Sequence, residues 1–144
     1  MVFITRATRH DKDDLRALLA TRDWAEDTDL DEGAAFIARD GGVIGCVRLI
    51  EVEPQTVVVD SVLVQEDRRG NGIGTRLMQA AMNSRGGKLY LCCHDDRIAF
   101  YERLGFLLLP AGFDDAPESV QAYWRKVDDY PTAPGHEHFF MTAR

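Results

Sequence analysis

The chain has 144 residues, 45% of them hydrophobic and 28% charged, with a net charge of -7. That length fits one domain, and the balance excludes a disordered chain, a collagen-like fibre and a disulfide-stapled miniprotein. No apolar run nears the ~20 residues that span a bilayer, and the acidic charge argues against a nucleic-acid binder.

Residues 1–14 carry arginines and aspartates where a signal peptide needs an apolar core. Cys46, Cys92 and Cys93 are odd in number and two are adjacent, so neither a disulfide framework nor a CxxC metal pattern exists. A cytoplasmic protein without a metal site is expected. Residues 3–5 make a short β-prone start, and Thr8-Arg9-His10-Asp11 is a capping-box pattern ahead of a helix. Leu15, Leu18 and Leu19 give that helix one apolar face, ending near Arg22. Residues 23–32 gather Asp23, Glu26, Asp27, Asp29, Asp31 and Glu32 around Trp24, the pattern of a solvated loop or short polar helix.

Strands over Ala34–Arg39 and residues 43–50 flank Asp40-Gly41-Gly42, a tight hairpin turn. Residues 55–64 form a third, valine-rich strand. A helix follows over residues 71–84, with Ile73, Leu77, Met78, Ala81 and Met82 on one face. Gly86-Gly87 leads into an apolar strand, Lys88–Cys93. The next helix covers residues 95–104, with an aspartate as N-cap and Gly105 as its stop. Strand resumes over residues 106–109. Residues 111–136 are irregular apart from a short helix at Glu118–Lys126, and residues 139–142 form a last strand. The order is that of an α/β domain, a sheet with helices on both sides.

The most informative segment is Val62-Leu63-Val64-Gln65-Glu66-Asp67-Arg68-Arg69-Gly70-Asn71-Gly72-Ile73-Gly74-Thr75, where three glycines alternate between a strand and a helix. Without Cβ atoms the backbone turns tightly and approaches a ligand closely. The helix N-terminus adds partial positive charge, so the turn suits a phosphate or diphosphate. Arg68, Arg69 and Arg76 bring full charges to an otherwise acidic chain. A turn that merely permits close packing is the other possibility. A P-loop needs a lysine followed by Ser or Thr after its second glycine, and none is here. A dinucleotide fingerprint needs G-x-G-x-x-G, but Gly74 falls one residue early.

Arg69-Gly70-Asn71-Gly72-Ile73-Gly74 resembles the (Q/R)-x-x-G-x-(G/A) motif of the GNAT family of N-acetyltransferases. Ala99-Phe100-Tyr101-Glu102-Arg103-Leu104-Gly105-Phe106 resembles that family's closing F-Y-E-x-x-G-F segment. The resemblance is strong over residues 57–106, about a third of the chain. It implies a single N-acetyltransferase domain over residues 1–144 with a mixed, mostly antiparallel central sheet flanked by helices. In such a domain two splayed parallel strands, here residues 57–64 and Lys88–Cys93, form the acyl-CoA cleft.

Carried over residue by residue, the resemblance implies that the pantetheine arm of acetyl-CoA, the cosubstrate, pairs with the backbone of Val62, Leu63 and Val64. The diphosphate rests on the amides of Arg69, Gly70, Asn71, Gly72, Ile73, Gly74 and Thr75. Tyr101 stands where the family keeps its tyrosine acid, and a phenol of pKa ~10 can protonate the departing thiolate. Packing against Ile98 is its alternative role, while Phe100 and Leu104 are expected in the core. An alkylamine of pKa ~10.4 must lose a proton before it attacks. Asp60, four residues before Val64 and so on the same side of a regular strand, is one candidate base. A solvent-facing carboxylate is the alternative there. His94 follows the splayed strand, where relatives often carry an asparagine touching the cofactor arm. This departure makes His94 either a cofactor contact or a second base candidate. His136 and His138 flank the last strand. Acetyl transfer through Cys92 or Cys93 is disfavoured, because cysteine is commonly a buried apolar residue and no base stands beside it.

The acceptor is expected to be a small cationic amine, with a protein amine next. Residues 23–32 together with Asp114, Asp115, Glu118, Asp128 and Asp129 would attract it, and Trp24, Tyr123, Trp124 and Tyr130 would wall it. A homodimer through an edge strand or the C-terminal segment is compatible with the same features. A non-catalytic acyl-CoA-binding or regulatory module of the same fold is the alternative function.

Overall fold

The described residues of the computed structural model are 1–22, 24, 28–127 and 138–143. The strands are β1 (Phe3–Arg6), β2 (Ala34–Arg39), β3 (Val43–Glu53), β4 (Thr56–Val64), β5 (Lys88–Cys93), β6 (Leu107–Leu108) and β7 (Phe139–Ala143). The α-helices are α1 (Lys12–Ala20), α2 (Ile73–Asn83), α3 (Ile98–Arg103) and α4 (Glu118–Lys126). The strands hydrogen-bond in the order β1-β2-β3-β4-β5-β7-β6. β4 and β5 run parallel, while β1–β2, β2–β3, β5–β7 and β6–β7 are antiparallel. The chain divides into two units: Met1–Ile50 with Val59–Arg85, and Glu51–Val58 with Gly86–Arg144.

In the first unit the expected capping box forms. Thr8 N–H donates to the Asp11 carboxylate at 2.7 Å and the Thr8 hydroxyl accepts from His10 N–H at 3.2 Å, ahead of α1. The apolar face of α1 then buries Leu15, Leu18 and Leu19 against Ile37, Cys46 and Leu63, with Trp24 and Leu30 packed alongside. Fully burying one such leucine contributes roughly 1.5–3 kcal/mol. At Gly33 the chain has φ +75°, and a Cβ there would lie 2.3 Å from the Leu49 carbonyl oxygen. Only glycine lets this segment lie so close to β3. Helix α2 buries Ile73, Leu77, Met78 and Ala81 as the periodicity predicts, with Met82 half-buried.

In the second unit β5 is paired on both edges and buries Leu89, Tyr90, Leu91 and Cys93. It lies parallel to the start of β4 over Thr56↔Lys88 to Val58↔Tyr90, and antiparallel to β7 over Leu89↔Ala143 to Cys93↔Phe139. Helix α4 buries Val120, Tyr123 and Trp124, three and four residues apart, and Trp124 packs on Phe140 with ring centroids 4.7 Å apart. The helix expected over residues 95–104 is shorter. Residues 95–97 form a 3-10 turn whose N-cap is His94 in extended conformation, and α3 begins at Ile98. No aspartate side chain caps it, because Asp95 and Asp96 lie inside the tighter turn. Gly105, at φ +99°, does stop it.

Candidate active site

The residues singled out from the sequence fall in both units. Asp60, Val62, Leu63, Val64 and residues 69–75 belong to the first, and His94 and Tyr101 to the second.

After Val64, Gln65 N–H donates to the Ile44 carbonyl at 2.7 Å, and a 3-10 turn at Glu66–Arg68 carries the chain to its glycines. Gly70 and Gly72 have φ +83° and +77°, and a Cβ on either would meet nothing within 4 Å. Gly72 is also the N-cap of α2 and brings no capping side chain. Arg76 N–H reaches the Gly72 carbonyl at 3.1 Å, closing the first helical turn. The amides of Ile73, Gly74 and Thr75 thus have no intrahelical acceptor, and they sit at the positive end of the helix dipole. These free amides suit an anion such as a diphosphate.

The arginines beside the turn shape it. Arg68 pairs with Asp40, whose carboxyl is held below the usual aspartate value by that hydrogen bond and by the N-terminal amine. Arg69 Nε donates to the Val64 carbonyl at 2.9 Å, Arg76 Nη2 to the Val2 carbonyl at 3.0 Å, and Asn71 Nδ2 to the Arg68 carbonyl at 3.3 Å. Val62 and Val64 are half-buried, whereas Leu63 is buried in the α1 core.

Strand β4 is not regular. Ser61 has φ +54°, left-handed for a residue with a side chain, so strict alternation does not hold between Asp60 and Val64. The expected placement of Asp60 and Val64 on one side of the strand is broken at Ser61. Nor is Asp60 a plain solvent-facing carboxylate. It is half-buried, with Oδ2 3.6 Å from Nη1 of Arg48, itself 3% exposed. The signal for Arg48 was in the sequence: a lone cation in the apolar run Val43-Ile44-Gly45-Cys46-Val47-Arg48-Leu49-Ile50.

In the second unit Tyr101 is 7% exposed, its ring edge-on to Phe106 at 5.8 Å and to Phe100 at 5.0 Å. Burial pushes its phenol above the usual tyrosine value, Cys93 adds to the shift and the Arg97 charge opposes it. The residue therefore stays protonated throughout the neutral range. Phe100 and Leu104, expected in the core, are only half-buried, and Phe106 takes that place because the chain folds back after Gly105. His94 is exposed, and its ring lies 5.0 Å from that of His138.

Burial raises the Cys46 thiol to about 12 and the Cys93 thiol to about 11, which leaves both un-ionised at neutral pH. Cys92 is half-buried. Among the described residues no three His, Cys, Asp or Glu side chains are grouped to hold a metal ion.

Tyr123 and Trp124, expected as aromatic walls, lie on the buried face of α4. Trp24 is half-buried against the α1 core, and Asp31 is paired with Lys12. Asp23, Glu26, Asp27, Asp128, Asp129, Tyr130 and His136 lie outside the described residues.

Residues 31–107, more than half of the chain, match the family described as an acetyltransferase (GNAT) domain. N-alpha-acetyltransferase 80 of Mus musculus is 39% identical over 72 residues, a match covering 46% of this chain and 23% of that protein. Among solved structures, an acetyltransferase of the GNAT family from Staphylococcus aureus MU50 is 16% identical with a TM-score of 0.69, over 99% of this chain and 98% of that one. N-acetylglutamate synthase from Neisseria gonorrhoeae, complexed with coenzyme A and N-acetyl-glutamate, is 20% identical with a TM-score of 0.74. That match covers all of this chain, 100%, and 35% of the synthase. At these identities the two structures share the fold.

Proposed function

The chain belongs to the GNAT family of acetyltransferases, and we propose that it is an acetyl-CoA-dependent N-acetyltransferase acting on a primary amine, a small cationic amine before a protein amine. The observation that carries this is the open glycine cradle at the head of α2, where Gly70 and Gly72 leave the backbone uncovered. Acetyl-CoA, as cosubstrate, supplies a thioester whose C–S bond breaks as the amine nitrogen forms the new C–N bond in a ternary complex. The amides of Gly70, Asn71, Gly72, Ile73, Gly74 and Thr75 hold the diphosphate, while the Arg69 N–H, expected among them, donates to the Glu66 carbonyl at 3.4 Å. The backbone of Val62, Leu63 and Val64 offers strand pairing to the pantetheine arm.

Tyr101 gives its phenolic proton to the departing thiolate and recovers one from solvent. The phenol is in its donor form at neutral pH, and burial, which raises its pKa, holds it there as a hydrogen-bond donor to the developing charge. Asp60, directly or through a water, takes the proton that the amine loses before attack. His94 is assigned to the cofactor arm, or to the base in place of Asp60. The exposed carboxylates Asp29, Asp31, Asp114, Asp115 and Glu118 favour a cationic acceptor.

The family match runs through both units, which supports one N-acetyltransferase domain over residues 1–144. Three free thiols favour the cytoplasm, and no helix among the described residues is long and apolar enough to cross a membrane. Strand β6 ends the sheet order with Leu107 and Leu108 exposed, an edge suited to a homodimer.

The test is CoA release from acetyl-CoA across a panel of amines, with thermal shift by acetyl-CoA on the same samples. Amine-dependent release, lowered about 100-fold or more in Tyr101→Phe with acetyl-CoA binding kept, is the expected result. Binding without release on any amine would favour a non-catalytic acyl-CoA-binding module instead. Release as fast with neutral or acidic acceptors would remove the cationic preference.

A further inference from the structure

Arg48 stands mid-strand in β3, only 3% exposed, where an unpaired cation would be costly. Its Nη2 donates to the carbonyls of Asp29, at 2.7 Å, and of Glu32, at 3.0 Å. Its Nη1 faces Asp60 Oδ2 at 3.6 Å, an ion pair just beyond hydrogen-bond reach. The segment it grips is held at several further points. Asp31 N–H donates to Asp29 Oδ1 at 2.9 Å, Glu32 N–H to the Asp29 carbonyl at 3.1 Å, and Asp31 pairs with Lys12. Two residues before Arg48, and so on the same face of β3, Cys46 donates its thiol hydrogen to the Ser61 carbonyl at 3.2 Å. Strand β3 thus holds the left-handed residue of β4 with one side chain and its neighbour Asp60 with the next.

We propose that Arg48 is a positioning residue for the acetyl transfer: it orients Asp60 and ties residues 29–32 to that carboxylate, so that proton acceptor and acidic segment keep one fixed arrangement. This rests on the function proposed above. Stability alone does not call for an arginine here, because a well-packed apolar residue often serves as well as a buried ion pair or better. What an apolar residue cannot do is hold a carboxylate and two backbone carbonyls in one geometry. The fork of the guanidinium does so, and the single ammonium of lysine does so only in part.

The experiment is a double-mutant cycle on the full chain with the best amine found in the panel. Arg48→Met, Arg48→Lys, Asp60→Asn and the double variant Arg48→Met/Asp60→Asn are compared for kcat, both KM values and thermal unfolding. Arg48→Met is expected to lower kcat/KM for the amine about tenfold or more, with the KM for acetyl-CoA within about twofold. Arg48→Lys should recover part of the loss. The double variant should lose less than the product of the two single losses, because part of the effect of Arg48 passes through that carboxylate. Losses that multiply in the double variant, or a variant that only melts earlier while its folded fraction turns over normally, would overturn the role. If Arg48→Met does not fold, Arg48→Gln takes its place in the cycle under the same criteria. A wild type that binds acetyl-CoA but acetylates no amine would remove the proposed function and this role with it, whereas an active wild type with multiplying losses removes this role alone.

Discussion

His94 and His138 face each other one step beyond the last rung of the β5–β7 ladder, Cys93↔Phe139, with ring centroids 5.0 Å apart. Directly opposed residues on antiparallel strands bring their side chains together in this way. His94→Asn and His94→Ala separate its two proposed roles. If His94 contacts the cofactor arm, the asparagine variant keeps the acetyl-CoA KM near wild type and the alanine variant raises it roughly threefold or more, with kcat little changed. If His94 is the base, kcat falls in both variants. Steady-state kinetics with acetyl-CoA as the varied substrate decides between them.

Tyr101 makes a pH prediction. Burial favours the neutral phenol, so proton donation should persist through the range near pH 10 where an exposed tyrosine ionises. The alkaline limb of kcat attributable to Tyr101 should therefore lie above pH 10. Stability follows the same sign. The folded state holds the proton more tightly, so this contribution is full below the unfolded value and is lost as pH rises through the raised folded one. In Tyr101→Phe the alkaline fall in melting temperature should be shallower.

Gly72→Ala tests the cradle with little confusion from packing. A Cβ at this position meets nothing in the protein, so the cost to folding is that of the left-handed backbone, about 1–2 kcal/mol. Under the proposed function the same Cβ would stand beside the amides that hold the diphosphate. Acetyl-CoA affinity, by calorimetry, should fall about tenfold or more while the fold survives. Unchanged affinity would mean that the glycines serve only the turn.

Asp11 makes an acid-stability prediction. The Thr8 backbone N–H, first, and the Arg39 guanidinium hold its carboxyl below the ordinary 3.8. Its contribution is present above that value and is lost as pH falls through the lowered one. Asp11→Asn should melt earlier than wild type at pH 7, and the gap should narrow as pH approaches 2. A gap that does not change with pH would assign the loss to packing.

The sequence was most legible where structure is set by near neighbours. Strands Ala34–Arg39 and Lys88–Cys93 and helix Glu118–Lys126 run between the residues that the pattern predicts, and Thr8 with Asp11 caps as expected. The glycine turn was legible for the same reason, because Gly70 and Gly72 adopt conformations that other residues avoid. Motif spacing likewise pointed to the family before any coordinate did.

Other features depended on partners distant in the chain. Tyr123 and Trp124 read as aromatic walls of an acceptor site, and their burial on one face of α4, with Trp124 against Phe140, is set by residues distant in the chain. Alternation along residues 55–64 predicted one face for Asp60 and Val64, but Ser61 turns left-handed, with its carbonyl held by Cys46 fifteen residues away. Arg48 read as one cation in an apolar strand, and its link to Asp29, Glu32 and Asp60 exists only once three segments meet. Periodicity, capping and turn chemistry are properties of a few consecutive residues, so most of the elements and the glycine turn could be read from the chain alone. Burial, ion pairing and the surroundings of Asp60 and Tyr101 are set by groups far apart in the chain, which meet only when it folds.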